Sequence, residues 1–300
     1  IYIDSSDDYG ASVQQTSDSG YIIAGSTDRF GNSDVYLIKT NSAGNRIWNK
    51  TLGTRASDWA NSIEKTSDGG YILVGCSDPY RIDTYVVKTD SFGNHLWNRT
   101  FESQDNNDCG HSIQQTSDGG YIITGWVSVG IYSTIYLRKI DSLGNLLWEK
   151  TYLGGSNYYS YGYSVQQTID DGYIVSGSTG PYANLWPYLI KTDSLGDVEW
   201  TKIFSSGRGA GNSVKQTNDN GYVIAGSVET FVPGLGIYND VWLMKTDSSG
   251  NRLWNRTFGG SKDDYGYSVQ LTSDGGYIIA GWTNSFGAGC SDVYLIKVKH

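Results

Sequence analysis

Residues equipped for chemistry are sparse in this chain, and most of them recur at a fixed interval. Asp8, Asp58, Asp108 and Asp264 share one repeat position, where Ser160 and Gly209 stand in the remaining copies. Asp34, Asp83, Asp240 and Asp292 share a second. Carboxylates gathered at one mouth would hold Ca2+, a hard cation that takes about six to eight oxygens. The competing reading makes them turn caps that accept backbone N–H groups. Histidine is confined to His95, His111 and His300, none spaced for a metal pair or a Ser-His-Asp set. Arg46, Arg99, Arg252 and Arg256 fall on or beside one type of strand instead of clustering. A pair of carboxylates brought together through space is the one enzymatic arrangement left open.

Binding has more to work with. The stretches "WVSVGIYST" (126–134), "GGSNYYSYGY" (154–163), "STGPYANLWP" (178–187) and "VETFVPGLGIYN" (228–239) break the repeat and are rich in aromatics. Trp126, Tyr132, Tyr158, Tyr159, Tyr182, Trp186, Phe231 and Tyr238 are the candidate platform for sugar rings or a partner's apolar groups. The plainer reading is that they cover sheet edges. Asn49, Asn98 and Asn255 open "NKT", "NRT" and "NRT", three glycosylation sequons at one repeat position. Cys76, Cys109 and Cys290 are too few and scattered for a zinc site or a disulfide framework. They read as small buried thiols, or Cys76 and Cys109 as a pair, which requires Cα atoms about 4.4–6.8 Å apart.

These residues are positioned by a repeat. "GYIIAG" begins at Gly20 and returns with variations at Gly70, Gly120, Gly172, Gly221 and Gly276, in steps of 50, 50, 52, 49 and 55. Self-similarity at this period marks a repeat architecture. In one copy, "YGYSVQLT" (265–272) runs into the turn "SDGG", then the apolar strand "YIIAGWT" (277–283), a variable loop and "DVYLIKV" (292–298). Earlier copies add a polar turn and a Trp-bearing strand such as "RLWNRTF" (252–258). Four antiparallel strands per unit bury both faces only when the sheets stack radially, which predicts an all-β, six-bladed β-propeller.

The predicted blades run about 11–52, 61–102, 111–153, 163–204, 212–258 and 267–300 plus 1–3, within a single domain 1–300. The outer-strand Trp occurs only five times (Trp48, Trp97, Trp148, Trp200, Trp254), so Ile1, Tyr2 and Ile3 are expected to supply the last blade's missing strand. Positions constant in every copy read as scaffold. Lys39, Lys88, Lys139, Lys191, Lys245 and Lys297 are expected to pair with carboxylates or snorkel. Gly25 and its equivalents admit a close neighbouring backbone. The variable loops collect on one face, where a pocket belongs.

"SDGGYIIAG", "DVYLIKTDSxGN" and the following Trp resemble the propeller repeats of archaeal and bacterial cell-surface and secreted proteins. The "GNxxW" step is also similar to that of quinoprotein blades, but without an adjacent Cys pair or a singled-out blade for a quinone. That resemblance implies the fold and an extracellular or cell-surface location.

Net charge is −9 at pI about 4.7, with no Lys/Arg cluster, which argues against nucleic acid and anionic membrane. No apolar run reaches the roughly 20 residues of a transmembrane helix. The leading expectation is a non-catalytic binding or structural module whose ligand is carbohydrate or a surface protein. The alternatives are a carbohydrate-active lyase or glycosidase with carboxylates at the channel mouth, and a self-assembling surface or filament subunit. No cofactor is expected beyond Ca2+.

Overall fold

The computed structural model describes residues 7–28, 32–78, 81–102, 106–205, 207–234 and 236–299. Blade 1 is β1 (Asp8–Gln15), β2 (Tyr21–Thr27), β3 (Asp34–Thr40) and β4 (Arg46–Leu52). Blade 2 is β5 (Ser57–Lys65), β6 (Tyr71–Asp78), β7 (Asp83–Thr89) and β8 (His95–Phe101). Blade 3 is β9 (Asp108–Gln115), β10 (Tyr121–Val129), β11 (Tyr132–Ile140) and β12 (Leu146–Tyr152). Blade 4 is β13 (Tyr159–Gln167), β14 (Tyr173–Gly180), β15 (Trp186–Thr192) and β16 (Val198–Ile203). Blade 5 is β17 (Gly209–Gln216), β18 (Tyr222–Val232), β19 (Gly236–Thr246) and β20 (Arg252–Phe258). Blade 6 is β21 (Asp264–Leu271), β22 (Tyr277–Thr283) and β23 (Asp292–Val298).

Every sheet is an antiparallel meander bonded in chain order, and the fold class is a six-bladed β-propeller. No helix occurs among the described residues. Two compact units divide the chain, Ile1–Thr151 with blades 1 to 3 and Tyr152–His300 with blades 4 to 6. Ile1, Tyr2 and Ile3, expected to complete blade 6, lie outside the described residues, as does His300.

The inner strands start earlier than the sequence pattern suggests, at Asp8, Ser57, Asp108, Tyr159, Gly209 and Asp264. A bulge explains the difference: the β1–β2 register slips between Gly10 and Ser12, and pairing then continues to Asp8. Gly25 makes this possible, because a Cβ there would overlap the Tyr9 carbonyl. Gly75, Gly125, Gly177, Gly226 and Gly281 face the same clash with Trp59, Cys109, Tyr161, Ala210 and Tyr265.

Within a unit, the second and third strands of one blade pack against the next. Ile22 and Leu37 meet Ile63, Leu73 and Val87 in the first unit, and Val223 and Leu243 meet Val269 and Ile279 in the second. Each such buried side chain contributes roughly 1.5–3 kcal/mol relative to exposure. Val13 and Leu295 hold the equivalent positions on β1 and β23, yet are 59% and 63% exposed. The outer-strand Trp joins neighbouring blades. Trp48 packs on Tyr71 at 6.5 Å between ring centroids, and Gly93 leaves room for its far edge. Trp97–Tyr121, Trp200–Tyr222 and Trp254–Tyr277 repeat the contact.

The recurring lysines pair with carboxylates. Lys39 reaches Asp18 at 2.8 Å, and Lys88, Lys139, Lys191, Lys245 and Lys297 reach Asp68, Asp118, Asp170, Asp219 and Asp274. The turn aspartate also accepts hydrogen bonds from Thr16 Oγ1 and Gly20 N. Gly20 is required here, since a Cβ would overlap the Thr40 carbonyl oxygen. Lys39 and Thr16 hydrogen bonds hold Asp18 well below the usual carboxylate range. At Asp68 and Asp219, burial works upward, but bonds from the Lys, Thr and Gly outweigh it and bring the pKa to about 2.

Candidate functional site

Blade 4 gathers four of the eight aromatic candidates. Tyr158 precedes β13, Tyr159 opens it, and Trp186 opens β15 opposite Thr179. Tyr182 sits in the turn between β14 and β15, where Asn184 N donates to Pro181 O at 2.9 Å and Ala183 takes a φ of 62°. That turn carries the Tyr182 ring to Tyr159, 5.6 Å away and nearly edge-on, while Tyr158 meets Trp186 at 6.4 Å. Gly155 leaves room for the Tyr158 ring, which a Cβ would approach to 2.9 Å. Tyr182 is 79% exposed.

A charged border fixes this group. Arg208 Nη1 donates to Ala183 O at 3.4 Å, and Arg208 Nε lies 3.3 Å from Glu229 Oε2. Backbone bonds from Gly209 N to Leu185 O (2.8 Å) and from Glu229 N to Arg208 O (2.7 Å) lock the three segments together. The arrangement offers one exposed ring, Tyr182, and three half-buried ones beside an ion pair with spare donors and acceptors. The other candidates lie elsewhere. Phe231 pairs with Ile237 near the tip of the β18–β19 hairpin, Tyr238 stands opposite Thr230, and Trp126 and Tyr132 belong to blade 3 in the first unit.

Within each unit, aspartates meet in pairs at a blade boundary. Among the described residues no group of three or more His, Cys, Asp or Glu is placed to hold a metal. Instead, an acid of the third strand meets an acid at or near the start of the next blade's inner strand. Asp34 and Asp58 face the same point beside Gly53, and Asp240 and Asp264 face one beside Gly259. Asp8 is exposed, whereas Asp58, Asp108 and Asp264 are fully buried. The cap reading holds for two of them: Asp58 accepts from Thr54 N at 2.5 Å and Asp264 from Gly260 N at 3.0 Å. Burial, then the neighbouring Asp58, pushes the Asp34 carboxyl up; burial and Asp264 with Asp263 do the same to Asp240, against a bond from Thr230.

Where Asp34 and Asp58 stand in blades 1 and 2, blades 4 and 5 carry Trp186 and Gly209. The aromatic group thus occupies a blade boundary from which the carboxylates have been removed.

No protein-family profile and no curated protein matches this chain. Solved structures do. A protein of unknown function from Dyadobacter fermentans DSM 18053 superposes with a TM-score of 0.64 at 12% identity, covering 97% of this chain and 95% of that one. An ulvan lyase of polysaccharide lyase family 25 gives 0.60 at 8% identity, over 96% and 78%. A calcium-binding regucalcin from Agrobacterium tumefaciens gives 0.52 at 11%, over 97% and 90%. At such identities the likeness is one of fold.

Several notable residues escape a reading by motif. Tyr161 stacks on Tyr163 at 6.3 Å, and Tyr265 stacks on Tyr267 and, at 4.7 Å, on Trp282. The signal was the "YGY" triplet, found only at 161–163 and 265–267. Arg138 is buried, with Nε 2.6 Å from Glu149 and its guanidinium 4.6 Å from the centroids of both Phe101 and Tyr136. Its signal was a double break in the repeat, "LRK" for "LIK" and "WEK" for "WNK" in the same blade. Cys76 and Cys109 form a disulfide between β6 and β9 with Cα atoms 5.1 Å apart, inside the required window, and Cys290 is free and exposed.

Proposed function

We propose that this chain is a non-catalytic, extracellular or cell-surface binding module that takes carbohydrate on the Tyr158–Tyr159–Tyr182–Trp186 group. The observation that carries this reading is the exposed Tyr182 ring, held by a strained turn beside Tyr159 and bordered by the Arg208–Glu229 pair. Pyranose rings present axial C–H faces that stack on aromatics, and their hydroxyls seek charged or amide partners. A tyrosine that served only packing would gain nothing from being 79% exposed on a hairpin turn. The Cys76–Cys109 disulfide supports an oxidising compartment, and the sequons Asn49, Asn98 and Asn255 agree with it.

Affinity electrophoresis through gels containing neutral and acidic polysaccharides tests the reading. At least one polysaccharide should retard the wild type, and Y182A and W186A should each run free. Retardation unchanged in both variants would move the site away from blade 4. Release of new reducing ends or unsaturated products by the wild type would favour the enzymatic alternative.

A further inference from the structure

We propose that Asp240 and Asp264 form a calcium-binding site at the boundary of blades 5 and 6. Asp240 lies in the middle of β19, opposite Val228 of β18, and Asp264 opens β21. Chain order alone separates them, and the blade connection through Phe258, Gly259 and Gly260 brings them together. A Cβ on Gly259 would overlap Asp240 Oδ1 and lie 2.7 Å from Asp264 Oδ2, so both carboxylates face one small volume. Asp240 is 6% exposed and Asp264 fully buried. Among the described residues, Asp240 Oδ1 and Asp264 Oδ1 accept no hydrogen bond, and neither acid has a lysine or arginine partner.

Two adjacent buried carboxylates without a counter-charge are costly, because each charge is desolvated and each repels the other. The boundary of blades 2 and 3 in the first unit shows how the same repeat position is otherwise neutralised. There Asp108 accepts from Thr84 N at 2.8 Å and lies 3.6 Å from Arg138 Nη2, so the protein supplies its own cation. The Asp34–Asp58 boundary lacks that arginine and repeats the geometry of Asp240–Asp264, with Gly53 in place of Gly259 and Asp58 Oδ1 again without a bond among the described residues.

The donor set selects the ion. The facing donors are oxygens of the two carboxylates, which suits a hard divalent cation, and the irregular strand–turn geometry suits calcium better than magnesium's strict octahedron. Ser285 Oγ, 2.7 Å from Asp264 Oδ2, holds that carboxylate in place. Gly259 is exposed and has no side chain, leaving an entry from solvent.

The test is calcium binding by the whole chain after chelator treatment, counted by isothermal titration and followed by thermal melting. The expected result is that D240N/D264N binds one equivalent fewer than the wild type. The wild-type melting temperature should rise by roughly 5 °C at one hundred times Kd, and the double variant should lose that site's share. Equal stoichiometry in both proteins overturns the proposal, as does a wild type that binds no calcium at millimolar concentration. Should the double variant not fold, D240N alone, which removes one charge at constant shape, gives the same comparison. An unchanged wild-type melting curve with and without calcium decides against the site without any variant.

Discussion

Arg138 places Nη2 3.6 Å from Asp108 Oδ2 while its Nε holds Glu149 at 2.6 Å. This bridge joins blade 3 to the inner-strand acid of its own sheet, where the other blades carry Ile, Val or Met at the arginine's position. The guanidinium is sandwiched between Phe101 and Tyr136, which favours Arg over Lys at a buried, stacked site.

Removing that cation should be among the most damaging single changes in the chain. R138I leaves Asp108 buried without its guanidinium, a loss of about 3–5 kcal/mol by urea denaturation. R138I/D108N/E149N, which removes the matching charges and restores the Ile and Asn of blade 1, should recover more than half of it. A stable R138I single variant would show that the bridge contributes little.

Acid stability should follow the lysine-paired turn aspartates. Their folded pKa lies below the unfolded value near 3.8, reaching about 2 at Asp68, Asp118 and Asp219. The stabilisation is therefore full above about pH 4 and is lost as pH falls towards 2. D68N/D118N/D219N should melt lower than wild type at pH 6 and show a flatter decline between pH 4 and 2. Parallel pH profiles for the two proteins would rule out these pairs as the acid-sensitive groups.

The parts of this structure that could be read from sequence are those set by local periodicity. Six copies of "GY" announce the second strands, and a lysine conserved in every copy had to serve the scaffold, as its bond to the turn aspartate shows. Contacts between blades were harder, because the partners sit at different offsets in successive repeats. Asp34 and Asp58 were visible as two series, but only the folding of β3 against the next inner strand makes them a pair. The inner-strand starts were misplaced because a bulge hides the alternation that marks a strand. Arg138 and Glu149 were not read from the sequence, because only the pairing of their strands sets the two departures against each other.

Glycan occupancy should be unequal among the three sequons. Asn49 Nδ2 donates to Tyr36 OH at 2.5 Å and Asn98 Nδ2 to Tyr85 OH at 2.9 Å, and both are half-buried. Asn255 is exposed, and Trp242 replaces the tyrosine at that position. Secreted from a glycosylating host, the chain should carry its principal glycan at Asn255. N255Q should lower the intact mass more than N49Q or N98Q. Y36F and Y85F should raise occupancy at the sequons they release, and equal occupancy at all three sites in the wild type would contradict this ordering.

Reduction should weaken the first unit in particular. The Cys76–Cys109 bridge closes a loop with a sequence separation of 33 and ties β6 of blade 2 to β9 of blade 3. Closing a loop of that length stabilises the fold by about 3–4 kcal/mol through the unfolded state. Asn61 reinforces the same junction by donating to Gly110 O at 2.8 Å. C76S/C109S should therefore denature at lower urea than the oxidised wild type, and reductant should shift the wild type by a similar amount while leaving the variant unmoved. Hydrogen exchange should quicken first in β6, β7 and β9, with β17 to β20 of the second unit little changed. Uniform acceleration across all six blades would mean that the disulfide supports the whole chain instead of that junction, and no change in either measurement would mean that packing there suffices without it.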